Sequence, residues 1–282
     1  MRTIETIGEL GRELAARRVA GDTTGFVPTM GFLHEGHLQL VDHARTRSTC
    51  CVMSIFVNPA QFGPTEDLSR YPRDPHGDTA KALSRGVDIL FTPSVREMYG
   101  DNRMVSVVPN RGASRWEGAL RPGHFEGVLS VVAKLFNIVQ PQVAVFGQKD
   151  AQQAALVRAM VRDLNIPVDL LVAPIVRDAD GLALSSRNVY LSPDERLRAV
   201  QLPRALHAVR ECFSAGERNA SQLEQAGRTV LDAQPGLSVD YFAVVNAIDL
   251  EPVLLASPGS LVLAAVKVGA TRLLDNLVLG EP

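Results

Sequence analysis

Residues 28–37 read Pro28-Thr29-Met30-Gly31-Phe32-Leu33-His34-Glu35-Gly36-His37. They follow an apolar run at 24–27, and the apolar residues that come after them recur at helical spacing. The pattern predicts a strand, a tight glycine turn and a helix whose first turn carries two histidines. Unpaired N–H groups and the positive end of the helix dipole attract phosphate to such a helix start. Gly36 has no side chain and would let a ligand approach the backbone, so the segment indicates chemistry on a nucleoside triphosphate.

The two histidines of this segment have other interpretations. His34 and His37 are three residues apart, so both imidazoles share a helix face and could hold a metal. No third ligand lies close in sequence, however, and the cysteine spacing does not suit zinc. The histidines could also be ordinary polar residues at a helix start. The functional interpretation therefore depends on the whole string and on the rest of the chain.

Composition excludes several classes of protein. The chain has 282 residues, enough for two unequal domains, and 29 basic against 31 acidic residues, so no bulk positive field invites nucleic acid. The longest uncharged apolar run, 253–266, is short and broken by Pro258-Gly259, so we expect no membrane span. The N-terminus has no apolar signal region. The chain has three cysteines, an odd count, and Cys50 and Cys51 are adjacent; a reactive thiol is one interpretation, and small buried residues in a reducing cytoplasm are the favoured one.

Predicted strands and helices alternate up to about residue 175. The predicted strands are 24–28, 51–57, 87–91, 104–108, 142–146 and 168–172. The predicted helices are 1–21, 74–85, 124–139 and 150–164. This alternation indicates an α/β fold with a Rossmann-like, doubly wound parallel sheet, in which ligands bind beyond the carboxyl ends of the strands.

The pattern changes after about residue 175. Two helices are predicted at 193–213 and 216–233, and two strands at 238–246 and 260–268, with a turn at Pro258-Gly259 between the last elements. This part predicts a smaller C-terminal α+β domain. The sequence thus divides into a domain at 1–175 and a domain at 176–282.

Gly147-Gln148-Lys149-Asp150 follows a predicted strand and opens a predicted helix. A lysine there can reach phosphates, and an aspartate can accept a hydrogen bond from a ribose hydroxyl. The alternative is a helix-capping aspartate beside a surface lysine. Gln153 lies one helical turn beyond Asp150 and can face the same cleft.

Two further segments carry polar groups suited to ligands. Leu184-Ser185-Ser186-Arg187 joins serine hydroxyls to an arginine fork, which suits a triphosphate or a leaving pyrophosphate; a helix cap or hinge is the alternative. Asn58 and Gln61 flank a proline turn, and their neutral amides suit a small hydroxy acid. Turn formation by Asn58 is the alternative there.

In this order, the segments resemble the pantoate–β-alanine ligase family (pantothenate synthetases) of the His-Ile-Gly-His nucleotidyltransferase superfamily, along nearly the full chain. The matching strings are Pro28 to His37, Phe56-Val57-Asn58-Pro59 with Gln61-Phe62, Tyr71-Pro72-Arg73-Asp74, Arg121-Pro122-Gly123-His124-Phe125, Lys134-Leu135-Phe136-Asn137, Phe146 to Asp150 and Ser185-Ser186-Arg187-Asn188. The C-terminal part matches more loosely, through Asp240-Tyr241 and 272–276.

The resemblance implies the ATP-dependent condensation of (R)-pantoate with β-alanine to pantothenate, AMP and pyrophosphate, on the pathway to coenzyme A. Pantoate carboxylate would attack the α-phosphate to give a pantoyl adenylate, which the amine of β-alanine would then attack. In-line phosphoryl transfer of this kind needs mainly positioning and positive charge. The resemblance also implies Mg²⁺ with ATP, a cytoplasmic homodimer, and no nucleic-acid or membrane partner.

The resemblance also assigns roles to single residues. His34, His37, Lys149 and Arg187 would be catalytic, with His37 the proton donor. The implied ATP-binding residues are Met30, Gly31, Phe32, Leu33, His34, Glu35, Gly36, His37, Gly147, Gln148, Lys149, Asp150, Val176, Leu184, Ser185, Ser186 and Arg187. The implied pantoate- and β-alanine-binding residues are Asn58, Gln61 and Gln153. No protein-held metal is implied, and the domain at 176–282 would be a lid over the nucleotide- and pantoate-binding domain at 1–175. Leu184 and Phe32 depart from the methionine and alanine expected at their positions.

Three rival functions remain at the level of sequence. A nucleotidyltransferase could stop at adenylation or cytidylylation of another acceptor, although the amides of Gln61 and Gln153 favour a small hydroxy acid. A regulatory module could bind nucleotide without turnover, although the presence of both histidines, Lys149 and Arg187 argues against a decayed site. A histidine-based metal hydrolase would retain a tightly bound metal and would not require ATP.

Overall fold

The computed structural model describes residues 1–64 and 66–281. The chain divides into two compact units. The first unit comprises Met1–Gly147 and Leu156–Ala173, and the second comprises Gln148–Ala155 and Pro174–Pro282. The short segment Gln148–Ala155 therefore belongs with the C-terminal residues, although it directly continues the last strand before it.

A parallel sheet forms the centre of the first unit. Its strands in spatial order are β1 (Arg2–Ile4), β4 (Ile89–Phe91), β3 (Cys50–Ile55), β2 (Thr24–Thr29), β5 (Val143–Gly147) and β6 (Asp169–Ala173). After β2 the chain adds β3 and then β4 on one side of β2, and later adds β5 and β6 on its other side. This reversal is the switch point of a doubly wound sheet, and the predicted fold class is confirmed. Ligands of such sheets bind at the carboxyl ends of the strands beside the switch point.

The central strands of this sheet, β2 to β5, are buried on both faces. The helices that accompany it are α1 (Ile7–Val19), α2 (Glu35–Arg45), α3 (Pro75–Ser84), α4 (Val95–Tyr99), α5 (Glu117–Leu120), α6 (His124–Val139) and α7 (Ala151–Asp163). Phe26 and Cys50 lie in one core cluster and Val27 and Cys51 in another, because successive strand residues face opposite sides. Burial raises the pKa of Cys50 to about 11 and that of Cys51 to about 12, so both thiols stay protonated at neutral pH.

The second unit contains an antiparallel sheet with its own core. Its strands, in spatial order, are β7 (Leu237–Val245), β8 (Leu261–Val268) and β9 (Thr271–Val278). Its helices are α8 (Pro193–Ala199), α9 (Gln201–Ser214) and α10 (Ala220–Asp232). Buried residues such as Leu206, Leu223 and Val262 pack together there. The predicted smaller α+β part is thus present.

Two predicted elements at the ends of the first unit differ from the structure. Residues 1–21 do not form one helix, because Arg2–Ile4 pairs as a strand with Ile89–Phe91 and Thr6 caps a helix that begins at Ile7. The predicted strand at 104–108 is also wrong. In that segment Val107 donates its N–H to Ser130 Oγ at 2.8 Å.

Two elements of the second unit also differ. The predicted helix at 193–213 is two helices, broken at Val200; Pro203 has no N–H to continue the ladder. The strand Thr271–Val278 was not predicted, because Arg272 and Asp275 disguise its apolar alternation. Within 1–64 and 66–281, no helix is long and apolar enough to cross a membrane.

Candidate active site

The turn after β2 has an unusual backbone. Gly31 has φ +83° and Phe32 has φ +50°, so two successive residues are left-handed. Thr29 Oγ1 donates to Ser54 O at 2.8 Å and accepts from Gly31 N–H at 3.2 Å, which ends the strand and starts the turn. A left-handed phenylalanine is disfavoured by sterics, so the surroundings must hold this turn in place.

The side chains of α3 provide that support. Asp78, only 2 % exposed, accepts from Phe32 N–H at 2.8 Å with one carboxylate oxygen and from Leu33 N–H at 2.6 Å with the other. Lys81 Nζ donates to Leu33 O at 2.8 Å. A Cβ at Gly31 would approach Asp78 Oδ2 to 2.9 Å, so glycine permits this close clamp. Asp78 and Lys81 thus fix the backbone that leads into His34.

We expect Asp78→Asn to lower the free energy of unfolding by about 1–3 kcal/mol, the range for a buried polar group left unsatisfied. The amide NH₂ would face a backbone N–H that the carboxylate now satisfies. Urea unfolding measures the change. Asp163→Asn is the matched control, since Asp163 is exposed and pairs with its neighbour Arg162 at the surface. A loss no larger than that of the control would contradict the assigned role of Asp78.

The two histidines occupy the predicted positions at the start of α2. His34 is the N-cap, with φ −133° and ψ 174°, and His37 is the third residue of the helix. His34 N–H donates to His37 Nδ1 at 3.3 Å, and the two rings lie 4.0 Å apart between centroids. Because a backbone N–H can only donate, His37 Nδ1 is an acceptor. A neutral His37 ring therefore carries its proton on Nε2.

Asn58, Gln61 and Met30 are brought together in the first unit. Gln61 Nε2 contacts Met30 Sδ at 3.2 Å, and Gln61 Oε1 accepts from Asn58 Nδ2 at 3.0 Å. Asn58 Nδ2 also donates to Gly127 O at 3.1 Å, and Asn58 Oδ1 accepts from Tyr99 Oη–H at 2.6 Å. Asn58 is therefore engaged by the protein and orients Gln61, which presents its NH₂ group beside a weak sulfur acceptor.

The backbone of Gln61 is held from helix α6. His124 Nδ1 lies 2.8 Å from Gln61 O, and Arg121 contacts both His124 Nε2 at 3.0 Å and Gln61 O at 3.3 Å. Arginine can only donate, so His124 is the neutral Nδ1–H tautomer. Burial and the charge of Arg121 lower the pKa of His124, in agreement with that tautomer. Arg121 itself pairs with Glu66.

Close packing reinforces this arrangement. Gly127 in α6 lies against the turn Pro59–Gln61, and a Cβ at Gly127 would collide with Ala60 O and approach Gln61 Cα to 2.7 Å. A larger residue would push the turn away.

Burial by itself would raise the pKa of Glu66, but its hydrogen bonds and ion pair with Arg121 lower it, which keeps the carboxylate charged.

In the second unit, Lys149 lies in a 3-10 turn, Gln148–Asp150, that precedes α7. The ammonium lies 3.5 Å from Asp150 Oδ1, at the limit of a hydrogen bond, and the Lys149 side chain is 22 % exposed. Lys149 is thus a half-buried positive charge with a weak intramolecular contact. It retains the capacity to bind an anion.

Val176 and Leu184 form the base of a hairpin, in which Leu184 N–H donates to Val176 O at 2.9 Å. Its turn is fixed by Arg196, which binds Asp178 at 2.6 Å and Asp180 at 2.8 Å. The hydrogen bond from Arg196 lowers the pKa of Asp180. Ser185 follows the hairpin and accepts from Arg187 N–H at 3.3 Å, so it caps the 3-10 turn Ser186–Tyr190.

The structure places the other predicted residues as follows. Glu35 is exposed and pairs with Arg85 at 2.7 Å. Gly36, Gly147 and Gln153 are partly exposed.

Sequence reasoning missed Asp78, whose partners lie 45 and 46 residues before it. Its only local signal was an acid on the buried side of a predicted helix.

Comparison with known proteins gives a match along the whole chain. The model of the family described as pantoate-beta-alanine ligase matches residues 2–278. The pantothenate synthetase of Roseiflexus castenholzii is 52 % identical over 281 residues, which cover 99 % of each chain. That of Pelotomaculum thermopropionicum is 48 % identical over 281 residues, covering 100 % of each.

Solved structures agree with these matches. A pantothenate synthetase from Thermus thermophilus superposes with a TM-score of 0.94 at 48 % identity and covers 99 % of each chain. The pantoate-beta-alanine ligase of Francisella tularensis, complexed with beta-gamma ATP and beta-alanine, has a TM-score of 0.81 at 30 % identity. It covers 99 % of this chain and 97 % of its own.

Proposed function

Because this chain belongs to the pantoate–β-alanine ligase family and joins pantoate to β-alanine using ATP, we propose that His34, His37, Lys149 and Arg187 carry the adenylation step. The observation that carries this proposal is the pair of histidines at the start of α2, directly after a clamped left-handed turn. A helix N-terminus and two imidazoles there place N–H donors where negative charge develops on phosphate.

In the first step an oxygen of the pantoate carboxylate forms a bond to the α-phosphorus, and the bond from that phosphorus to the β-phosphate oxygen breaks. His37 donates a hydrogen bond from Nε2–H to a phosphate oxygen and keeps its proton, because its Nδ1 accepts from His34 N–H and the ring is neutral. Lys149 and Arg187 stabilise the charge on the departing pyrophosphate. Adenylation turns a carboxylate oxygen, which cannot leave, into part of AMP, which can.

In the second step the β-alanine nitrogen forms a bond to the acyl carbon, the bond from that carbon to the AMP oxygen breaks, and the amine loses a proton to water. Gln61, oriented by Asn58, donates its NH₂ to an oxygen of pantoate and so fixes the acyl group for both steps. Gln153 binds pantoate as well. Gly147 and Asp150 hold the ribose, Met30 and Val176 border the adenylate, Ser185 binds the triphosphate with Arg187, and the remaining residues of the implied ATP set line the same site.

We propose that Mg²⁺ enters with ATP. Among the described residues there is no cluster of three or more histidine, cysteine, aspartate or glutamate side chains placed to hold a metal. ATP phosphates supply the oxygen ligands that Mg²⁺ prefers, and the ion usually keeps several of its waters. When bound, the ion neutralises phosphate charge, and Lys149 and Arg187 complement it.

We propose that the enzyme is a cytoplasmic homodimer. Free, buried Cys50 and Cys51 suit a reducing compartment. The side chains of three apolar residues in the segment 104–108 are exposed: Met104 by 92 %, Val105 by 81 % and Val108 by 61 %. An exposed apolar segment of this kind suits contact with a second copy of the chain. Light scattering after size-exclusion chromatography tests the dimer: the mass of one chain, 30.5 kDa, would contradict it and twice that mass would support it.

The route through an acyl adenylate is tested by isotope transfer. Pantoate labelled with heavy oxygen in its carboxylate should pass one labelled oxygen to AMP, since that oxygen forms the bond to the α-phosphorus and stays with AMP when nitrogen attacks. Mass spectrometry of AMP measures it. Unlabelled AMP with labelled pyrophosphate or phosphate would contradict the route.

A further inference from the structure

Strand β9 carries two adjacent buried polar residues outside the proposed ATP-binding set. Asp275 and Asn276 are each 2 % exposed. They lie in the second unit, at the level where β9 contacts the turn Gln148–Asp150. Buried polar side chains on a strand must be hydrogen-bonded, and their partners show what they hold.

Asn276 holds the segment that bears Lys149. Its Nδ2 donates to Gln148 O and to Lys149 O, each at 2.9 Å, and its Oδ1 accepts from Gln148 Nε2 at 3.0 Å. Two backbone carbonyls can only accept, so they fix which end of the Asn276 amide faces them. One side chain therefore fixes two successive peptides of the turn, and with them the point from which the Lys149 side chain extends.

Asp275 holds the other proposed ATP-binding segment of this unit. Its fully buried carboxylate accepts from both terminal nitrogens of Arg177, at 2.6 and 2.9 Å. Arg177 also donates to Gly181 O at 3.0 Å, across the hairpin based on Val176 and Leu184. A bidentate arginine–carboxylate pair fixes geometry as well as charge. The same strand thus anchors both segments.

We propose that Asp275 and Asn276 are positioning residues for ATP, and that they set the place of Lys149 and of the Val176–Leu184 hairpin relative to each other. They act through those segments and touch no substrate. The proposal rests on the proposed function of Lys149. Displacement of a charge-stabilising group by about 1 Å can cost on the order of 10²-fold in rate, so loss of this anchor should weaken the use of ATP in particular.

Steady-state kinetics of Asn276→Ala test the proposal. The KM for ATP should rise by about tenfold or more and kcat should fall, while the KM values for pantoate and β-alanine stay within about twofold of the parent. The matched control is Asn246→Ala, in the same unit: Asn246 accepts from Ile248 N–H at 2.7 Å in the turn after β7 and contacts neither segment through those bonds. It should lower thermal stability without raising the KM for ATP.

A folded Asn276→Ala with unchanged KM for ATP, or with all three KM values raised together, would overturn the proposal. If Asn276→Ala does not fold, Asp275→Asn replaces it in the assay, because asparagine has the shape of aspartate and keeps one oxygen acceptor for Arg177. An unchanged KM for ATP in Asp275→Asn would then contradict the proposal. Lys149→Ala in the same assay separates the two levels. If Lys149→Ala changes the kinetics with ATP and Asn276→Ala does not, only the positioning role of Asp275 and Asn276 is contradicted. If Lys149→Ala has no effect, the role proposed for Lys149 itself is contradicted.

Discussion

His37→Ala should keep its fold and lose on the order of 10²–10⁴ in kcat, the range for a general acid or a key donor to developing charge. The imidazole lies at the third position of α2, with Nδ1 accepting from His34 N–H, so Nε2–H is the group that donates a hydrogen bond to phosphate. Turnover at saturating ATP, pantoate and β-alanine measures the loss. Circular dichroism checks the fold.

Part of any loss could come from the lost contact to His34 rather than from lost chemistry. His37→Asn keeps a side-chain acceptor for His34 N–H and removes the imidazole, so it should be nearly as slow as His37→Ala. His43→Ala, an exposed histidine in the last turn of the same helix, should match the parent. Near-parental turnover of both His37 variants would remove His37 from the mechanism.

Lys149→Ala should raise the barrier of the adenylation step by roughly 2–4 kcal/mol, the value of one charged donor in a site shielded from water. The half-buried ammonium has a weak internal partner in Asp150, so its charge is available to phosphate oxygens. Single-turnover formation of pyrophosphate measures the step. Binding of pantoate should change little.

Lys267→Ala is the matched control for this variant. Lys267 lies in β8, and its exposed ammonium is 3.6 Å from Asp240, so its removal should change rate by less than about twofold and stability by less than about 1 kcal/mol. A Lys149→Ala enzyme that loses only affinity for β-alanine would contradict the placement of Lys149 beside the phosphates.

The sequence predicted those features that depend on local signals. Residues close in sequence determine the turn at Gly31, the helix start at His34 and the alternation of strands with helices. The continuous apolar strands also predicted a sheet buried on both faces, as Phe26 and Val27 illustrate.

The features that were missed depend on partners far away in sequence. Asp78 caps N–H groups 45 and 46 residues before it, and nothing local marks that bond. In β9, Arg272 and Asp275 look incompatible with a buried strand until Asp240 and Arg177 neutralise them. The strand Arg2–Ile4 was too short to show a period. At 104–108 an apolar run predicted a strand, but Met104, Val105 and Val108 are exposed.

The exchange of labelled pyrophosphate into ATP, with pantoate present and β-alanine absent, tests the central claim most directly. A reversible adenylation step predicts exchange that requires pantoate, that disappears in His37→Ala and that needs no amine. Exchange without pantoate, or no exchange by an enzyme that still binds ATP, would contradict the account and direct attention to another acceptor.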